Sequence, residues 1–159
     1  MRYSRCQQVA YHEAAHALAA LRHNIRFKTV HVYACSVDAV SGAVVCPPGT
    51  MDAATSDDPY AAMLILLAGI AASKIMQPHH GYFVHMLNAW QDWDEAKYLA
   101  STIHPNPGEF TERFMVTTAR RFVNAEWPTI ARIGDALATS ANRMLTYREC
   151  KSLALAVTL

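Results

Sequence analysis

Charged side chains are scarce in this sequence of 159 residues. Lysine, arginine, aspartate and glutamate together make up 17% of it, and the formal net charge is +1. This is below the usual quarter, and no cluster of lysines or arginines provides the electrostatic attraction that nucleic-acid binding needs. Hydrophobic residues reach 52%, which predicts a large buried share and leaves room for a self-association surface. We therefore expect no nucleic-acid partner, and a homo-oligomer is compatible with the composition.

Cysteine motifs are lacking as well. The four cysteines, Cys6, Cys35, Cys46 and Cys150, form no C-x-x-C pair and no disulfide-framework spacing. Reduced thiols and a cytoplasmic location are the resulting expectations. No signal peptide is indicated, because charged residues and the first helical pattern begin at once.

No uncharged apolar run is long enough to cross a membrane. The longest, Pro59 to Ser73, is shorter than the roughly 18–20 residues that a span requires. It predicts a buried core helix and no membrane span. Repeats, linkers and low-complexity segments are also absent, so residues 1–159 are expected to form a single domain.

What the sequence does contain is the hexapeptide YHEAAH, residues 11–16. Positions i and i+4 of a helix lie one turn apart on one face, so His12 and His16 can bind the same metal ion. Glu13 lies beside that face, where its carboxylate can reach a water molecule. Zinc hydrolases use these residue types: neutral nitrogen ligands and a base that is not a ligand. The alternative interpretation is a helix with two partly buried, hydrogen-bonded histidines.

Local signals predict that this segment is helical. Ser4 and Gln7 have the S-x-x-Q spacing of a capping box, and neither proline nor glycine occurs from Gln7 to His23. His23 lies on the same helix face as His16, but seven residues of helix separate them by about 10 Å. One ion cannot bridge that distance, so a third ligand must come from elsewhere.

Asp92 is the candidate third ligand. Residues 91–103 (QDWDEAKYLASTI) predict a helix that ends before Pro105. Asp92 shares a face with the apolar residues at i+4, i+7 and i+11, so its carboxylate points toward the core and needs a partner there. Asp94 and Glu95 are offset from that stripe and are expected to be more solvated. The spacing leaves open that Asp92 only caps its helix.

The rest of the sequence predicts a small sheet and further helices. Residues 27–34 alternate in polarity and residues 40–46 form a second short strand, so a sheet is expected beside the motif helix. The histidine-rich residues 78–85 are interpreted as a non-ligand loop.

Two helices are predicted beyond residue 108, split at Trp127–Pro128. The second has a buried stripe of Ile130, Ile133, Leu137 and Met144. Thr146 and Glu149 form another capping box before a short last helix. The predicted fold class is mainly α with a small β-sheet (α+β).

Three segments resemble the peptidase domain of the FtsH-type ATP-dependent zinc metalloproteases. Residues 9–18 (VAYHEAAHAL) are similar to that family's V-A-x-H-E-A-G-H-A-L, and residues 66–73 (LLAGIAAS) to its L-x-G-G-R-A-A-E. Residues 92–100 (DWDEAKYLA) are similar to its D-x-x-x-A-T-x-x-A. With the order of the last helices, the resemblance covers nearly the whole chain. It implies a zincin-like helical fold and makes Asp92 the third zinc ligand.

The sequence departs from the family at several positions. Ala15 replaces a glycine of the motif, and Ile70 and Ser73 occupy the places of an arginine and a glutamate. Losing both charges is either a neutral exchange of a polar pair or the mark of a degraded enzyme. The ATPase and membrane segments of the family are not in this sequence. A detached peptidase domain would have no motor to unfold its substrates.

These observations predict a zinc metalloendopeptidase that hydrolyses peptide bonds in unfolded or flexible polypeptides. Zn²⁺ held by His12, His16 and Asp92 would lower the pKa of a water molecule toward about 7. Glu13 would accept that water's proton and deliver a proton to the leaving amine. Folded substrates would need a separate unfoldase or adaptor. The alternatives are a non-catalytic metal-binding assembly protein that retains the peptidase fold, and a protease that cleaves one specific partner.

Overall fold

A computed structural model of the protein describes residues 3–33, 41–76 and 87–156. Most of these residues are helical, and the strands form one small antiparallel sheet. The predicted class, mainly α with a small β-sheet, is therefore confirmed. The helices are α1 (Arg5–Arg22), α2 (Thr50–Asp57), α3 (Pro59–Met76), α4 (Leu87–Ile103), α5 (Pro107–Phe114), α6 (Arg120–Thr139) and α7 (Tyr147–Leu155). The strands are β1 (Thr29–Val32), β2 (Gly42–Val45) and β3 (Met144–Thr146).

Helix α1, which carries the YHEAAH motif, begins at the predicted capping box. The Ser4 hydroxyl accepts a hydrogen bond from the Gln7 N–H, and the Gln7 side chain accepts one from the Ser4 N–H. The helix ends at Arg22, with His23 as its C-cap. All residues from 9 to 20 are buried. The motif therefore lies inside the fold, where its polar side chains need partners.

Helix α3 is the apolar centre of the molecule. Residues 61–72 are all buried, and the helix packs against both α1 and α4. At 18 residues with a mean hydropathy of 1.6, it is the one helix in the described ranges that is long and apolar enough to cross a membrane. It ends at Met76, in agreement with the end before Pro78 that proline predicts. A helix that is buried on all sides by other helices is also what a protein core contains.

The sheet lies against α1 in the order β2-β1-β3, so β2 is an edge strand. Val30 pairs with Val44 on one side and with Leu145 on the other. Val30 and Val32 are buried whereas His31 is only partly buried, which confirms the alternation predicted there. Ala34 and Val40, the ends of the two predicted strands, lie outside the described residues.

The predicted helix break at Trp127–Pro128 is wrong. Helix α6 continues through Pro128, and the irregularity lies earlier, in a π-helical stretch at Met115–Ala119 between α5 and α6. Proline removes one intrahelical hydrogen bond, here to the carbonyl of Asn124. Pro128 and Asn124 are both exposed. Water can therefore satisfy the Asn124 carbonyl, and the helix continues.

The last part of the chain follows the prediction with one correction. Ile130, Ile133 and Leu137 are fully buried, but Met144 belongs to strand β3 rather than to the helical stripe. The capping box of Thr146 and Glu149 does begin α7. Strand β3 and helix α2 were not predicted, because elements this short show too little periodicity.

The cysteines also differ from expectation. Cys6 is disulfide-bonded, whereas Cys46 and Cys150 are free thiols. The expectation of reduced thiols throughout is therefore wrong for Cys6. Cys35 and the histidine-rich residues 78–85 lie outside the described part of the chain.

Candidate metal centre

Three predicted metal-ligating side chains meet between α1 and α4. The Nε2 atoms of His12 and His16 lie 3.1 Å and 3.3 Å from Oδ2 of Asp92. The two Nε2 atoms are 2.9 Å apart. One candidate ligand atom from each residue thus falls within 4.8 Å of the others. His23, at the far end of α1, is not part of this group.

The secondary structure explains why these side chains converge. His12 and His16 are one turn apart on α1, as predicted from their spacing. Helix α4 begins at Leu87, four residues before the predicted start, so Asp92 lies in its second turn. Asp92 therefore does not cap the helix, and that alternative is wrong. Helix α3 packs against both α1 and α4 and so sets the distance between them.

Hydrogen bonds to the other ring nitrogens orient both histidines. His16 Nδ1 lies 2.6 Å from the carbonyl oxygen of Ile65 and donates to it. His12 Nδ1 lies 3.0 Å from Ser73 Oγ. The Ser73 hydroxyl donates to the Gly69 carbonyl, so its oxygen accepts from His12. Each Nδ1 thus has an acceptor, which leaves each Nε2 facing Asp92, as in metal-binding histidines.

The backbone of α3 forms one wall of the centre at Gly69. A Cβ atom on Gly69 would overlap His16 Nε2 and lie 2.7 Å from His12 Nε2. Glycine is therefore required for α3 to approach the two rings this closely. Sequence reasoning assigned no role to Gly69 and treated Ser73 as a departure from the family, although Ser73 supports His12. Ile70, the other departure in this segment, is fully buried in the hydrophobic core.

Electrostatic interactions couple the three candidate ligands. Burial alone would lower the pKa of His16, but the nearby carboxylates, chiefly that of Asp92, outweigh it and raise the pKa to about 9. Burial would raise the pKa of Asp92, yet His16 and His12 hold it well below its usual range. Positive charge beside the Asp92 carboxylate is therefore favoured. This is the electrostatic condition for binding a cation.

Glu13 lines a cleft that also reaches two of the three candidate ligands. Only 2% of Glu13 is exposed, and it lines a cavity of about 640 Å³ together with His16 and Asp92. Edge strand β2 closes over it at Gly42, where an added Cβ would overlap Cγ of Glu13 and lie 2.6 Å from its Oε1. The predicted base and two of the predicted ligands thus share one cavity.

The rest of the cleft has both apolar and polar lining residues. The apolar part comes from three helices and one strand. It is formed by Ala20 on α1, Val44 on β2, Ile65 and Leu66 on α3, and Leu99 on α4. On α4, Gln91, Glu95 and Tyr98 also line it. Glu95 is exposed, as predicted, but it faces this cleft, whereas Asp94 is not among the lining residues.

Comparison of the chain with protein-family models, with curated proteins and with solved structures finds no match. The resemblance to FtsH-type peptidases therefore stays a prediction from the three sequence segments.

Proposed function

We propose that this protein is a zinc-dependent endopeptidase that hydrolyses peptide bonds in unfolded or flexible polypeptides, with a peptidase domain of the FtsH type. The observation that carries the proposal is the convergence of His12, His16 and Asp92, two of which, His16 and Asp92, line the same cleft as Glu13. Each histidine turns Nε2 toward the carboxylate, and each Nδ1 has its own hydrogen-bond partner. Fixed ligands next to a buried carboxylate are what metal-assisted hydrolysis requires.

The donor set fits zinc. Two imidazole nitrogens and one carboxylate oxygen form the three protein ligands that catalytic zinc sites use, and the pair of nitrogens disfavours magnesium and calcium. His12, His16 and Asp92 would hold the ion. When bound, Zn²⁺ would supply Lewis-acid chemistry, polarising the peptide carbonyl and lowering the pKa of water.

Glu13 is the general base of the proposed reaction. Its carboxylate would accept a proton from the attacking water and pass a proton to the nitrogen of the leaving amine. The close approach of Gly42 confines the Glu13 side chain, so little freedom is lost when it takes up its reactive position.

The cleft favours extended substrates. Strand β2 is an edge of the sheet and lines the cleft through Gly42, Ala43 and Val44. An unfolded polypeptide can pair its main chain with such an edge, whereas a folded domain cannot insert a strand there. We therefore propose that folded proteins need a separate unfoldase or adaptor. A homo-oligomer is a further proposal that the composition allows. The cytoplasmic location expected from reduced thiols loses that support at Cys6, which is disulfide-bonded.

The competing function is that of a non-catalytic metal-binding assembly protein. A purely structural zinc site is closed by four protein ligands and needs no general base. Glu13 and the cleft beside Asp92 have no purpose in such a protein. The described residues therefore favour the peptidase.

The deciding experiment compares the zinc-loaded chain with its Glu13→Gln variant on a reduced, unfolded protein, at matched zinc content. We expect the parent to cut and Glu13→Gln to lose about 100-fold or more in rate, as loss of a general base implies. Glu112→Gln is the matched control, because Glu112 is exposed and is not among the cleft-lining residues. If parent and Glu112→Gln bind zinc one to one and neither cuts, the assembly-protein function replaces the peptidase.

A further inference from the structure

The cleft contains one carboxylate that the proposed reaction does not use. Glu95 lies on α4 three residues after Asp92, so it is one helical turn, about 5 Å, from the metal-ligating group. Its side chain accepts a hydrogen bond of 2.9 Å from Gln91, which is neutral. Among the described residues that line the cleft there is no lysine or arginine.

With zinc bound, the part of the cleft around Glu95 would keep a net negative charge. A bound Zn²⁺ would offset the charges of Glu13 and Asp92, which leaves the charge of Glu95 uncompensated within the lining. A cleft of one sign attracts the opposite charge and repels its own, more strongly where apolar walls limit solvent screening. An acidic substrate side chain is therefore disfavoured here and a basic one is favoured.

An aromatic residue lies one helical turn further along α4 and lines the same cleft. Tyr98 follows Glu95 by three residues on the same helix face, lines the same cleft and is 71% exposed. An exposed tyrosine ring beside a carboxylate can bind a cation through both charge and its π face. Arginine suits this pair better than lysine, since its planar guanidinium stacks on rings and pairs with carboxylates through two donors.

We propose that Glu95 and Tyr98 form a specificity subsite for a basic side chain, preferably arginine, close to the scissile bond of a polypeptide substrate. This inference rests on the proposed function. Because the two residues step away from Asp92 along α4, the basic side chain belongs to a residue within one or two positions of the bond that is cut. The apolar lining residues Ile65, Leu66 and Leu99 favour hydrophobic side chains at neighbouring substrate positions.

Binding tests the subsite without cleavage. The zinc-loaded Glu13→Asp chain, which keeps the charge of the cleft but shortens the proposed base by one methylene, is titrated with fluorescent peptides of one flexible, apolar sequence that differ only at a central position, which is Arg, Lys, Gln or Glu. We expect affinity to fall in that order, with Arg at least about fivefold above Glu, as one exposed ion pair with a cation–π contact provides. Glu95→Lys should reverse the order of Arg and Glu, and Tyr98→Leu should reduce the preference of Arg over Lys.

Asp94→Lys is the matched control, because it makes the same change of charge on the same helix at an exposed residue that does not line the cleft. It should keep the order of the four peptides. Equal affinities in the parent, or an equal effect of Asp94→Lys and Glu95→Lys, would overturn the subsite. Cleavage by the unmutated chain is scored separately. Ordered binding without cleavage would contradict the proposed function and leave the subsite intact.

Discussion

Ser73 Oγ lies 3.0 Å from His12 Nδ1 and donates its own proton to the carbonyl of Gly69, one turn earlier on α3. A hydroxyl has a single proton, so this second bond leaves Ser73 as the acceptor for His12. The serine thereby determines which ring nitrogen of His12 carries hydrogen. Ser73, a departure from the FtsH-type sequence pattern, thus supports a candidate metal ligand.

Replacing Ser73 with alanine should weaken zinc binding. Without its acceptor, His12 can adopt the other tautomer or rotate, and loss of such a supporting bond typically costs about 10- to 100-fold in metal affinity. The measurement is zinc affinity by competition with a chromophoric chelator. Ser73→Thr keeps the hydroxyl and should recover most of the affinity. Ser101→Ala, which removes an exposed hydroxyl bonded to the Tyr98 carbonyl, is the control. Unchanged affinity in Ser73→Ala would show that His12 does not depend on this bond.

Replacing Gly69 with alanine should damage the site more directly. The new Cβ would occupy the space of the two Nε2 atoms, so the rings must move and zinc affinity should fall by more than about tenfold. Gly108→Ala is the matched control, since a Cβ there meets nothing within 4 Å. Circular dichroism should show both variants folded. Full zinc affinity in Gly69→Ala would contradict the packing described for α3.

The sequence predicted the parts of the site that depend on local structure. The positions of His12, Glu13 and His16 follow from helical spacing, and the capping box at Ser4 fixes where that helix begins. Asp92 needed two further steps: the face it shares with apolar residues and the family resemblance. The apolar face of the Asp92 helix does not reveal which helix packs against it. From spacing alone, it therefore stayed possible that Asp92 only caps its helix.

The supporting residues could not be predicted in the same way. The Ile65 carbonyl, Gly69 and the Ser73 hydroxyl reach the histidines only because α3 packs against α1. No sequence pattern marks a backbone carbonyl as a hydrogen-bond acceptor for a distant ring. The prediction at Pro128 failed for the opposite reason. The helix-breaking tendency of proline is a local property, whereas the tertiary packing that keeps α6 continuous through Pro128 depends on the fold.

Replacing Gly42 with alanine should separate catalysis from zinc binding. Its Cβ would overlap the Glu13 side chain but is not placed against either histidine. A shift of about 1 Å in a catalytic group can cost roughly 100-fold in rate, so cleavage of an unfolded protein should fall by about that factor at unchanged zinc content. Loss of zinc together with activity would contradict this assignment and place Gly42 in the support of the metal centre.

The two free thiols should differ sharply in reactivity in the folded protein. Cys46 lines the cleft and is partly exposed, whereas Cys150 is fully buried. Burial raises the pKa of the Cys46 thiol above its ordinary value, and burial together with the Glu149 charge raises that of Cys150 to about 12. Because the thiolate is the reactive form, a raised pKa means less of it at any given pH. Iodoacetamide should therefore modify Cys46 slowly at neutral pH, with a rate that still rises above about pH 9, and should spare Cys150.

Mass spectrometry of the alkylated chain checks this, with Cys46→Ser as the control that removes the expected adduct. Unfolding without reductant should expose Cys150 to the reagent while Cys6 stays protected by its disulfide. An extended peptide bound in the cleft should slow modification of Cys46, since the thiol lies on the wall that includes strand β2. Rapid labelling of Cys150 in the folded chain, or labelling of Cys46 that a saturating peptide does not slow, would contradict the described cleft.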